Sequence, residues 1–232
     1  MKARYLIWDF DGTLAYRRGG WSGALAETLQ QEASGCDVTA NSLRPYLQDG
    51  FPWHYPERFH GPWTGADAWW ESLTPIFERA YCCGAGLRPS DAHRLAQEVR
   101  QVYVDPTFWH LFDDTLPCIR SLSAQDWQHF VLSNHVPELP QLMEALGLSN
   151  SVSRVFNSAE TGFEKPHPRA FHNVLTAVEG DAAVWMIGDS MKSDFDGARA
   201  VGIPAILVRN WHPNAKPYCD NLGALPKLLG QP

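Results

Sequence analysis

Asp9 and Asp11 stand two residues apart where an apolar run ends, in YLIWDFDGTLAY (5–16), and Gly12 and Thr13 follow them. Successive residues of an extended strand face opposite ways, so these two carboxylates project to one side. Two later apolar runs end in residues of matching chemistry. HFVLSN (129–134) delivers Ser133 and Asn134, and AVWMIGDS (183–190) delivers Asp189, with Asp194 one helical turn on. Lys165, in ETGFEKPHPRAF (160–171), adds a cation. Clustered carboxylates attract a hard cation, and Mg²⁺ is commonly held by one or two carboxylates, waters and a substrate phosphate. Asp9, Asp11 and Asp189 form such a set.

The same residues suit phosphoryl transfer. A carboxylate, Asp9, can attack phosphorus and form an aspartyl-phosphate. A second, Asp11, can protonate the leaving oxygen and then deprotonate the attacking water. Charge on the transferring group needs fixed donors and cations, for which Ser133, Asn134, Lys165 and the loop at Gly12 and Thr13 are the candidates. Gly12 permits a turn with close backbone approach, and the Thr13 hydroxyl can order it. Asp196 is explained without chemistry, as a negative charge in the first turn of a helix.

Positioning these residues requires a sheet. RYLIW (4–8), HFVLSN, AVWMIGDS and PAILVRN (204–210) read as short buried strands, with RVFNSAE (154–160) a weaker fifth. Helix-period segments at 137–147, 167–179 and 193–201 alternate with them. That rhythm predicts an α/β fold with a doubly wound parallel sheet covered on both faces. Ligands of such sheets bind outside the carboxyl ends of the strands. The stretch 15–105 breaks the rhythm, with helix-like pieces near 22–33, 39–48, 66–82 and 90–103 and no convincing strand. It carries Trp21, Trp53, Trp63, Trp69 and Trp70 and a Pro- and aromatic-rich loop, GFPWHYPERFHGPW (50–63). The expected organisation is a core of 1–14 and 106–232 with a helical cap of 15–105.

Composition removes several alternatives. A net charge of −7 over 232 residues speaks against nucleic acid as a partner, because affinity for a polyanion rests on clustered Lys and Arg. No apolar run approaches the roughly 20 residues of a membrane span, and MKARYLIWDFDG meets charge too early for a signal peptide. Cys36, Cys82, Cys83, Cys118 and Cys219 lack CxxC spacing, so free thiols in a reducing, cytoplasmic setting are expected.

DFDGT (9–13), LSN (132–134), EKP (164–166) and IGDSMKSD (187–194) together resemble, in order, the four motifs of the haloacid dehalogenase-like hydrolases. They span most of the chain, and EKPHPRAF and GDSMKSDFDGARAVGIPAILV resemble the phosphatase-type branch over longer stretches. The resemblance implies Asp9 as nucleophile, Asp11 as acid/base, and Mg²⁺ held by the Asp9 and Asp189 side chains with the Asp11 backbone carbonyl. It implies Ser133 and Lys165 on the phosphoryl group, Asp194 orienting Lys165 or the metal's waters, and a helical cap between the first two motifs. Dehalogenases of the family typically replace the second Asp, so Asp11 favours phosphoryl transfer. The phosphonate-cleaving branch needs a cap lysine, and no lysine lies between Lys2 and Lys165. His167 stands where many members have Asp.

In the cap, Trp69 and Trp70 fit a helical core face, whereas Arg17, Trp53, His54 and Arg58 are candidates for a substrate pocket, Arg58 through a substrate anion. The expected function is a Mg²⁺-dependent phosphatase of a small phosphorylated metabolite, with neither nucleic acid nor membrane as partner. A phosphosugar mutase with the same core residues is one alternative. A non-catalytic Mg²⁺- and phosphate-binding signalling or scaffold protein is another; stable phosphorylation of Asp9 would mark it.

Overall fold

The computed structural model describes residues 2–32, 37–61 and 65–229; Cys36 and Trp63 lie outside them. In chain order the strands are β1 (Ala3–Trp8), β2 (Ala15–Arg17), β3 (Trp109–Leu111), β4 (Trp127–Ser133), β5 (Arg154–Asn157), β6 (Ala182–Gly188), β7 (Ala205–Val208) and β8 (Tyr218–Cys219). The helices are α1 (Gly20–Glu32), α2 (Ala40–Leu43), α3 (Ala66–Gly84), α4 (Pro89–Tyr103), α5 (Thr115–Ser123), α6 (Leu139–Ala145), α7 (Ser158–Thr161), α8 (Pro168–Leu175), α9 (Gly197–Ala200) and α10 (Leu225–Leu229).

Six strands form one parallel sheet in the order β5-β4-β1-β6-β7-β8. β1 lies between β4 and β6, with Trp8 opposite Val131 on one side and Ile187 on the other. Alternation along the strands feeds two cores. Leu6, Trp8 and Val131 join the cluster that holds Ile119 of α5, Leu142 of α6 and Leu225 of α10. Tyr5, Ile7, Phe130 and Leu132 join Phe171 of α8 and Phe195 on the opposite face. Burial on both faces is why these strands are apolar throughout rather than alternating. His167 caps α8, its Nδ1 accepting from Arg169 N at 3.1 Å. That is a helix-capping duty for which Asp is the usual residue.

α1, α3 and α4 pack together between β1 and β4 in the chain, and their apolar faces continue into the first core through Leu25, Trp69, Phe77 and Val99. Trp69 and Trp70 are buried, as the helical pattern implies. The expectation of no strand in 15–105 is corrected. β2 pairs antiparallel with β3, Tyr16 opposite His110, and this two-stranded ribbon carries the chain out to the helices and back. Three residues per strand, about ninety apart in the chain, leave no periodicity to detect. Cys82, Cys83, Cys118 and Cys219 are free thiols, as expected, with Cys83 exposed. No helix among the described residues is long and apolar enough to cross a membrane.

One buried histidine makes the fold acid-sensitive. His129 on β4 accepts from Trp8 Nε1 at Nδ1 (3.0 Å), and its Nε2 lies 3.0 Å from Ser123 Oγ. Burial pushes its pKa down to about 4. The unfolded chain therefore binds the proton first, so the contribution is complete above pH 6.5 and is lost as pH falls toward 4. A shift of this size corresponds to ~3 kcal/mol. Urea midpoints measured from pH 7 to pH 4 should drop in the wild type relative to His129→Gln, because only the wild type carries this histidine. Parallel pH slopes in the two proteins would remove His129 as a source of acid sensitivity.

Candidate active site

Three strand ends meet at the carboxyl edge of the sheet, where the order runs outward both ways from β1, the position at which open α/β sheets bind ligands. Asp9 follows β1, its N–H donating to Ile187 O at 2.9 Å. Asp9 Oδ1 accepts from Ser133 Oγ at 2.9 Å and lies 2.8 Å from Lys165 Nζ. Lys165 Nζ also donates to Asp194 Oδ1 at 2.6 Å, while Asp194 Oδ2 accepts from Ser190 N at 3.0 Å. Lys165 and Asp194 are buried. Asp194 rides a π-helical turn (Met191–Asp196) capped by Ser190, whose Oγ accepts from Ser193 N. Such turns recur at functional sites because they re-aim one side chain. Gly188 gives that carboxyl its room: a Cβ there would overlap it.

The structure redistributes some of the expected duties. Asn134 clamps the Lys165 segment, its Nδ2 donating to Lys165 O at 2.9 Å and its Oδ1 accepting from Lys165 N at 2.7 Å. What Asn134 does here is place the Lys165 segment, and with it the ammonium. Gly12 N–H donates to Ala15 O at 2.8 Å, so that amide closes the turn. What Gly12 supplies is space, at φ +86°: a Cβ would stand 2.5 Å from Asp189 Oδ2. Thr13 Oγ1 donates to Asp189 Oδ1 at 3.2 Å and thereby orients a carboxylate instead of a phosphate.

Electrostatics identify what the cluster lacks. Burial alone would push the Lys165 ammonium down, but Asp194 and Asp9 outweigh it and hold it raised. Burial, then Asp9 and Asp194, pushes Asp189 up to about 8. Asp11 opens on the cleft, yet desolvation beneath the helices and the charge of Asp9 push it up to about 7, against Arg17 and the Gly12 amide. Four carboxylates thus share one ammonium. One oxygen each from Asp9, Asp189 and Asp194 lie within 4.8 Å of one another. Asp194 is committed to Lys165 and Ser190, which leaves Asp9 and Asp189 the freer pair. An excess of carboxylate oxygen with too little positive charge fits a divalent cation.

The cleft over this cluster measures about 340 Å³. Trp53 lines it, as expected. The other three pocket candidates in the cap are corrected. Arg17 is buried behind the wall, donating to Glu27 Oε2 at 2.5 Å and to Val102 O at 3.1 Å, because β2 turns it toward the helices. Arg58 is exposed, pairs with Glu57 and lies over the Tyr55 ring. His54 packs edge-on against Phe51, outside the lining. Trp21, Tyr103 and His135 border the cleft instead. Trp21 and Tyr103 sit within ordinary helical patterns that give no signal of a site. Asn210 was legible: it follows an apolar run as Asp9 and Asp189 do, and its Nδ2 donates to Asp189 Oδ2 at 2.8 Å.

Known proteins resemble this chain in sequence and in fold. Haloacid dehalogenase-like hydrolase domain-containing protein 3 of Bos taurus is 29% identical over 221 residues, 92% of this chain and 84% of that protein. The ribulose-1,5-bisphosphate 5-phosphatase of Halopiger xanaduensis is 28% identical over 209 residues, 88% of this chain and 84% of its own. The HAD-hydrolase YfnB of Bacillus subtilis, solved bound to magnesium, superposes with a TM-score of 0.76 at 20% identity over the whole of both chains, a likeness of fold. The haloacid dehalogenase-like hydrolase model matches residues 3–202, from the first residue of β1 past the π-turn that carries Asp194. With its strand-end residues gathered in one cleft, this chain belongs to the haloacid dehalogenase-like hydrolase family.

Proposed function

We infer that this chain is a Mg²⁺-dependent phosphatase that hydrolyses a small phosphorylated metabolite through an aspartyl-phosphate on Asp9. The observation that carries this reading is the placement of Asp9 Oδ1 against both Ser133 Oγ and Lys165 Nζ, with a second carboxyl, Asp11, two residues away and raised to about 7. The other Asp9 oxygen is the nucleophile. It forms a bond to phosphorus as the ester P–O bond breaks, and the proton of Asp11 passes to the leaving oxygen. Water then attacks the same phosphorus, giving its proton back to Asp11, and the acyl phosphate bond breaks to return Asp9 and inorganic phosphate. Ser133 and Lys165 meet the charge on the phosphoryl oxygens, where preorganised donors are most effective. Asp194 and Asn134 keep Lys165 protonated and in place.

Mg²⁺ would be held by Asp9 and Asp189, with the Asp11 carbonyl, and would offset the negative charge that phosphate adds to four carboxylates. The phosphatase name of the Halopiger relative supports the reaction class. Phosphate release across a panel of phosphorylated metabolites is expected with Mg²⁺ and to fall at least ~100-fold with chelator, the scale of a lost electrostatic stabiliser. Release that ignores chelation would defeat the metal dependence, and silence on every ester, an activated aryl phosphate included, would defeat the phosphatase.

A further inference from the structure

The reading above leaves the leaving group unspecified, and the wall of the cleft facing the carboxylates constrains it. That wall is aromatic: Trp21 and Trp53 are half-buried and present surface to the cleft, and Tyr103 completes it, stacked on Trp21 with ring centroids 3.8 Å apart. Among the described lining residues Lys165 is the sole Lys or Arg, and Asp9 and Asp194 already occupy it. Arg17, behind the wall, is spent on Glu27 and on the carbonyls of Arg18, Gly20 and Val102.

Neutral polar groups border the same wall. Both ring nitrogens of His135 are buried with no hydrogen-bond partner, while its ring packs edge-on to Phe10 and beside Trp109. Burial keeps this imidazole neutral, so one nitrogen donates and the other accepts. A buried polar side chain without a partner is uncommon in a folded protein and calls for one.

We propose that the cleft takes phosphomonoesters whose leaving alcohol is uncharged and carries a planar ring, which lies against Trp21 and Trp53. This rests on the phosphatase reading for the reaction and on the cleft alone for the class. A leaving group bearing a carboxylate or a second phosphate would face aromatic rings and Asp11 and Asp189, with no free cation among the described lining residues to receive it. Stacking of a flat ring on aromatic side chains and the unpaired charge of the anionic alternatives act in the same direction.

The test compares phenyl phosphate and a nucleoside 5′-monophosphate with phosphoglycolate and O-phosphoserine, with Mg²⁺ present. The ring-bearing esters should show kcat/KM at least tenfold higher. Trp53→Ala should raise KM for them about tenfold with kcat little changed. Trp53→Arg should narrow the gap by improving phosphoglycolate. Binding to Asp9→Asn, followed by quenching of tryptophan fluorescence, separates the two readings, because it needs no turnover. At least tenfold tighter binding of phenyl phosphate than of phosphoglycolate, without turnover of either by the wild type, would uphold the substrate class and sink the phosphatase. Turnover or binding that favours the anionic esters, in the wild type and unchanged in Trp53→Arg, would overturn the class.

Discussion

Asp9→Asn is expected to abolish phosphate release, by at least ~10³-fold, whereas Asp11→Asn should stop the reaction halfway. The first variant keeps an oxygen for Ser133 Oγ and Lys165 Nζ at 2.9 and 2.8 Å, so the fold has no reason to suffer. What it loses is the carboxylate proposed as nucleophile. In the proposed reaction Asp11 serves twice: as an acid for the leaving oxygen and as a base for water. With an alkyl ester both duties are needed, and Asp11→Asn should lose ~10²–10⁴-fold. With p-nitrophenyl phosphate the leaving group departs without a proton, so the first half survives and only hydrolysis of the aspartyl-phosphate is blocked. Rapid mixing should then show a burst of one nitrophenol per Asp11→Asn chain, a covalent phosphate on Asp9, and slow turnover afterwards. Asp9→Asn should show no burst. A normal second phase in Asp11→Asn would take the base role away from Asp11.

Asp9, Asp11 and Ser133 were readable because they stand where an apolar run stops. Burial on both faces makes β1, β4 and β6 conspicuous, and a charged or hydroxyl residue at the end of such a run has no packing reason to be there. The same rule covers Asn210 after β7, whose amide holds Asp189. The helical cap was legible as helices because α3 and α4 each bury one face, leaving clear spacing at Trp69, Leu73, Phe77 and at Leu95, Val99, Val102. Its relation to the site was not legible. Trp21 and Tyr103 are set by how α1 and α4 lean over the sheet, a tertiary fact with no local signature. Arg17 misled for a complementary reason: a charge next to the DFDGT motif suggests substrate, yet the ribbon of β2 and β3, three residues each, turns it inward to Glu27. Local sequence tells which residues are anomalous for their element, and packing decides which cleft they reach.

The density of charge around Lys165 leads to an effect of opposite sign on activity and stability. Asp189→Asn should end Mg²⁺-dependent activity while raising the melting temperature of the metal-free protein at pH 7. Burial and the charges of Asp9 and Asp194 hold the Asp189 proton until about pH 8, whereas the unfolded chain releases it near 3.8. Between those values the unfolded state binds fewer protons at this group, so Asp189 costs the metal-free wild type stability as pH rises. A neutral Asn escapes that loss. Because the carboxyl is half-buried and partly screened by water, the gain is about 1–2 kcal/mol, or roughly 2–8 °C in a chain of this length. The amide can keep both contacts, its oxygen accepting from Asn210 Nδ2 and its nitrogen donating to Thr13 Oγ1. Added Mg²⁺ should reverse the order. At about 100 times its dissociation constant the ion stabilises the wild type by ~2.7 kcal/mol, and Asp189→Asn should respond little. Melting curves with Mg²⁺ and with chelator, at pH 7 and at pH 4, read all of this at once. The metal-free advantage of the variant should close at pH 4, where Asp189 is protonated in the folded state and half protonated in the unfolded one. A variant less stable than metal-free wild type at pH 7 would mean that Asp189 holds the loop at Thr13 more than Asp9 and Asp194 repel it.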